Sequence, residues 1–67
     1  MLENIEEIHE SLVNGQRRQC VKMIDEFGLY DFWDQYADYL VDLYTSPDSR
    51  WRYFTDMAIS YHRIKNR

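Results

Sequence analysis

Sixty-seven residues, 45% hydrophobic and 16% aromatic, suffice for one ordered domain spanning residues 1–67 and exclude a disordered chain, which would lack the aromatics. The single cysteine, Cys20, rules out a disulfide framework and suits a reducing compartment. No apolar run approaches the roughly 20 residues that span a bilayer, the acidic start MLENIEE is unlike a secretory leader, and the net charge of −4 disfavours binding nucleic acid by bulk charge, so a cytoplasmic protein is expected.

Leu2, Ile5, Ile8, Leu12 and Val13 recur at helical spacing with His9 at the edge of their face, which predicts a first amphipathic helix over 2–13. Its four glutamates, Glu3, Glu6, Glu7 and Glu10, lie on the other side, with no Lys or Arg among the first fourteen residues. His9 reads as a surface or boundary residue. Asn14-Gly15 supplies a stop, because these residues enter the left-handed region most readily. A second helix over 16–27 presents Cys20, Met23, Ile24 and Phe27 on one face and Arg18, Lys22, Asp25 and Glu26 on the other, ending at Gly28. Arg17 falls towards the apolar side, where it either reaches solvent or bonds an acid of helix one or three.

The stretch LYDFWDQYADYLVDLY predicts a third helix over 30–44. At about 100° per residue, Asp31, Asp34, Asp38 and Asp42 fall within roughly 80° of one another and make one acidic stripe. Apart from Gln35, the remaining side chains from Tyr30 to Tyr44 are apolar or aromatic and sweep about 200°, wider than the roughly 100° a surface helix needs. Such a helix should touch more than one neighbour. Asp31 suits an N-cap or first-turn position.

Thr45-Ser46-Pro47-Asp48-Ser49 is the one clear loop, with Asp48 or Ser49 as the cap of the next helix. Trp51, Phe54, Met57, Ala58, Tyr61 and Ile64 then predict a fourth helix over 49–65, with Arg52, Asp56 and Arg63 as a surface network and Ile59 out of pattern on the polar side. Together these form an all-α, compact bundle of about four short helices. Acidic helices one and three can alternate with basic helices two and four. A core this small contributes only a few kcal/mol net, and the aromatic surface exceeds what one such monomer easily hides, so a homodimer is expected to complete it.

Catalytic constellations are missing from the sequence. Cys20 lies on an apolar face and reads as a small buried hydrophobe, and His9 and His62 form no metal-ligand spacing with it. No phosphate-binding glycine loop occurs, and neither enzyme activity nor a cofactor is expected. A nucleic-acid reading would use the basic C-terminal segment, Arg50, Arg52, Arg63, Lys65 and Arg67, interleaved with aromatics. The opposite reading makes the aspartate stripe an imitation of nucleic acid. From Asp31 to Asp42 a helix rises about 16 Å and carries four charges, against about nine or ten on duplex DNA of that length. One stripe is too sparse alone; helix-one glutamates or a second chain would have to add to it.

The runs NGQRRQCVKMIDEFGLYDFW and YFTDMAISYHRIKNR resemble a group of short uncharacterised proteins encoded by tailed bacteriophages. The resemblance covers nearly the whole chain, rests on general character with no motif of known chemistry, and carries over no functional residue. It implies a context: expression in the host cytoplasm to bind and inhibit, or redirect, a host or defence protein. The leading expectation is therefore a non-enzymatic interaction protein, with Asp31, Asp34, Asp38, Asp42, Tyr39 and Ile59 as partner-binding residues. The basic nucleic-acid accessory protein and the acidic mimic are the alternatives.

Overall fold

Local capping chemistry sets where each helix starts and stops. In a computed structural model, which describes residues 4–66, four helices succeed one another: α1 (Ile5–Val13), α2 (Arg17–Phe27), α3 (Leu29–Leu43) and α4 (Pro47–Lys65). α1 starts later than the expected residue 2 because Asn4 is extended (φ −114°) and its side-chain oxygen accepts the Glu7 N–H at 2.8 Å, an N-cap bond. Leu2 and Glu3 lie outside the described residues.

Asn14-Gly15 ends α1 as expected. Gly15 takes φ +77°, its N–H bonds the Leu12 carbonyl at 3.0 Å, and the Gln16 N–H bonds the Ser11 carbonyl at 2.9 Å. These two bonds make a Schellman motif. Gly28, at φ +107°, both ends α2 through its N–H to Ile24 O (2.9 Å) and opens α3 through its carbonyl, which accepts from Phe32 N (2.8 Å). Asp31 accordingly sits in the first turn of α3 and is not its cap.

α4 begins two residues before the expected position. Ser46, held extended before proline, accepts the Ser49 N–H on its hydroxyl at 3.4 Å, and Pro47 fills the first helical turn, where its missing N–H is harmless. Asp48 and Ser49 therefore lie inside the helix they were expected to cap.

Every helix contributes to one core: Ile8 and Leu12 from α1, Cys20 and Ile24 from α2, Phe32, Tyr36 and Leu40 from α3, and Met57 from α4. Phe32 and Tyr36 stack at 5.0 Å, and Trp33 packs on Phe54 at 5.3 Å, so α3 is tied to α4 through rings. α3 touches α1, α2 and α4, as its broad apolar arc requires. The radius of gyration, 11.1 Å, matches the roughly 11 Å of a folded chain of this length.

The ion pairs do not follow the expected alternation of acidic and basic helices. Among the described residues, both join α2 to α4: Arg17 to Asp56 at 2.9 Å and Lys65 to Asp25 at 2.8 Å. Arg17 also donates to Ser60 Oγ, and Tyr61 O–H donates to Asp25 at 2.7 Å. Thus Arg17 bonds an acid of helix four, not of helix one or three, and Asp56 is taken from the expected network with Arg52 and Arg63. Net charge per helix was the wrong variable, since single opposed residues decide a pair.

Candidate functional site

The outward face of α3 and the two grooves beside it form the most distinctive surface. Asp31, Asp34, Asp38 and Asp42 are all exposed, while Phe32, Tyr36 and Leu40 on the opposite side are buried. None of the four takes part in a salt bridge among the described residues. The stripe is thus a face of carboxylates turned to solvent.

On its α4 side a groove of about 350 Å³ is lined by Ala37, Leu40, Pro47, Arg50, Trp51 and Phe54. Trp51 is 72% exposed at its wall, and Tyr30, about two turns before Ala37 on the same side of α3, is 87% exposed. This side is apolar and aromatic.

On its α1 side a second groove, of about 430 Å³, is bordered by Glu6, Glu10, Val13, Tyr39 and Leu43 above His9 and Tyr44. Val13 and Leu43 remain 55% and 48% exposed there. Tyr39 is half-buried, its ring edge against His9 at 5.5 Å. Its hydroxyl pKa is raised, first by burial and then by the negative charges of Glu6 and Glu10. Glu6 and Glu10 therefore stand beside Tyr39 at the mouth of this groove.

His9 is the main departure from expectation at the site. It is buried, with Nδ1 2.8 Å from the Tyr36 hydroxyl and Nε2 2.9 Å from the Tyr44 hydroxyl, and not a boundary residue. A neutral imidazole has one N–H and one bare nitrogen, so one tyrosine accepts from it and the other donates to it. The Tyr39 and Tyr53 rings pack edge-on around it, and burial lowers its pKa. The ring is a satisfied polar node that fastens α1 to α3 and forms the floor beneath the second groove.

The other candidate residues are dispersed. Ile59 is exposed but lines a separate hollow of about 200 Å³ between α2 and α4, with Arg17, Asp56 and Arg63, so it does not share the aspartate face. Arg50 closes the C-terminus of α3, its Nε donating to Tyr44 O at 2.7 Å and Nη2 to Val41 O at 3.4 Å. Lys65 is paired with Asp25, Arg52 and Arg63 are exposed, and Arg67 lies outside the described residues. Cys20 is fully buried, bonds Ile8 O at 3.5 Å and Met57 Sδ at 3.3 Å, and burial pushes its thiol up to about 11. A protonated, enclosed thiol packs and does not attack.

Fold and surface together define an all-α four-helix domain with an acidic, aromatic-walled face. Comparison with protein-family models, with curated proteins and with solved structures found no match. Among the described residues there is no cluster of three or more His, Cys, Asp or Glu able to hold a metal, and no helix long and apolar enough to cross a membrane.

Proposed function

We propose that this is a non-enzymatic interaction protein that binds a host or defence protein through the face around α3 and so inhibits or redirects it. The observation carrying this reading is the exposed aspartate stripe of α3, without a salt bridge among the described residues, flanked by two grooves with exposed apolar side chains, the α1-side groove also rimmed by Glu6 and Glu10. Exposed apolar groups beside such charge are what a binding surface needs, the first for affinity and the second for orientation and partner choice. The resemblance to short phage proteins supplies the cellular context. Self-association belongs to the same reading, with Trp51 and Tyr30 as the apolar groups a second copy would cover.

Imitation of nucleic acid is a special case of this reading. The four aspartates of the stripe would need Glu6 and Glu10 of α1, or a second chain, to come nearer the nine or ten charges duplex DNA carries over about 16 Å. The basic-segment alternative has less support, since Arg50 and Lys65 are engaged by α3 carbonyls and Asp25.

Affinity purification from bacterial lysate tests the proposal. The wild-type chain should retain a specific protein, and the double variant Asp34→Lys/Asp38→Lys should lose it with unchanged helical circular dichroism. A chain that is monomeric by sedimentation and captures nothing specific, or equal capture by the variant, would overturn it.

A further inference from the structure

The groove between α1 and α3 narrows the chemistry of the partner, an inference that rests on the binding role proposed above. Glu6 and Glu10 stand one helical turn apart on one wall, and Tyr39 and Leu43 stand one turn apart on the other. Among the described residues, no Lys or Arg lines the groove. Its floor is aromatic, and the ring nitrogens of His9 are already bonded to Tyr36 and Tyr44, so no free polar group from that ring is left for an anion or a neutral polar ligand. Val13 and Leu43 add apolar contact at one end. From Glu6 to Val13 the wall runs about 10 Å, the length of two helical turns.

We infer that this groove receives a lysine- or arginine-bearing amphipathic helix of another protein, its apolar side on Val13, Tyr39 and Leu43 and its cations against Glu6 and Glu10. Cations over tyrosine rings and opposed carboxylates reinforce each other, whereas nucleic acid or an acidic peptide is repelled. The α3/α4 groove offers no such selection, because its charged lining residue is Arg50. A second copy could present the cationic surface of α2, Arg18 and Lys22, or of α4, Arg52 and Arg63, to this groove. Such a contact either pairs two copies reciprocally about a twofold axis or builds rings and open assemblies, and both outcomes make the protein's size depend on its concentration.

An NMR titration of the full chain with a leucine–lysine amphipathic peptide, and with its leucine–glutamate counterpart, decides the matter. Saturable shifts at Glu6, Glu10, Val13, Tyr39 and Leu43 are expected for the lysine peptide alone. Glu6→Gln/Glu10→Gln should weaken it about fivefold, as loss of two exposed charge pairs does, and added salt should do the same to the wild type. Shifts centred on Trp51 and Ala37, equal binding of the glutamate peptide, or no binding of either would overturn the inference. So would concentration-dependent growth of the protein alone that Glu6→Gln/Glu10→Gln abolishes. If such a result accompanies specific capture of a lysate protein that Asp34→Lys/Asp38→Lys abolishes, the binding role stands and only the partner chemistry assigned to this groove falls.

Discussion

Across the α1–α3 seam the polar contacts are buried and uncharged, His9 bonding Tyr36 and Tyr44, while Glu6 and Glu10 at the rim have no salt bridge among the described residues. Across the α2–α4 seam the buried Cys20–Met57 contact is joined by exposed ion pairs, Asp25 on Lys65 and Asp56 on Arg17. Carboxylates at the second seam are consumed by the fold. Those around the first are left for something outside it, which separates structural charge from available charge within a chain of 67 residues.

The contrast breaks first in the core that both seams share. Tyr36→Ala removes a fully buried ring stacked on Phe32, a change of about 3–5 kcal/mol, comparable with the total of roughly 3–10 kcal/mol for a domain this size. The variant should show little cooperative unfolding by circular dichroism at 25 °C.

A smaller effect probes the α1–α3 seam alone. His9→Phe leaves the Tyr36 hydroxyl without its partner and should lower stability by about 1–3 kcal/mol in urea titration. It should also alter the pH profile. The folded-state pKa of His9 lies below its ordinary value of 6.5, so the wild-type contribution is complete above that pH. It declines as pH falls through the folded value, because the unfolded chain takes up a proton the buried ring resists. The variant should lack this component.

The smallest effect belongs to the α2–α4 seam. Asp56→Asn removes an exposed pair worth about 0–1 kcal/mol, a loss that 1 M salt should erase. At Asp25 the bonds from Lys65 and Tyr61 lower the carboxyl pKa. Its stabilising contribution is present above the ordinary aspartate range and lost as pH falls through the lowered value, which Asp25→Asn should remove from acid titrations followed by NMR.

Features encoded within one or two turns were legible in the sequence. The Asn14-Gly15 stop, the Gly28 joint, the buried face containing Cys20 and Ile24, and the outward aspartates all arise from periodicity and turn chemistry. Features that depend on a distant neighbour were not. His9 sits at the edge of an apolar stripe, and its burial depends on tyrosines 27 and 35 residues away. Arg17 finds its acid 39 residues along the chain, on a helix whose net charge has the same sign as its own. The α1–α3 groove was illegible for the same reason, although the aromatic density of α3 was the available sign that a polar edge residue of α1 would be covered.

Gly28 is the whole of the connection between α2 and α3, and the other two joints, 14–16 and 44–46, are scarcely longer. Bringing neighbouring helices together therefore sacrifices little loop-closure entropy, and a helical chain with such local connections folds in microseconds to milliseconds. Speed matters for a sequence in which Tyr30, Phe32, Trp33, Tyr36 and Tyr39 lie within ten consecutive residues. The interval in which those rings are jointly open to aggregation is brief, and it is shortened by a joint of one residue.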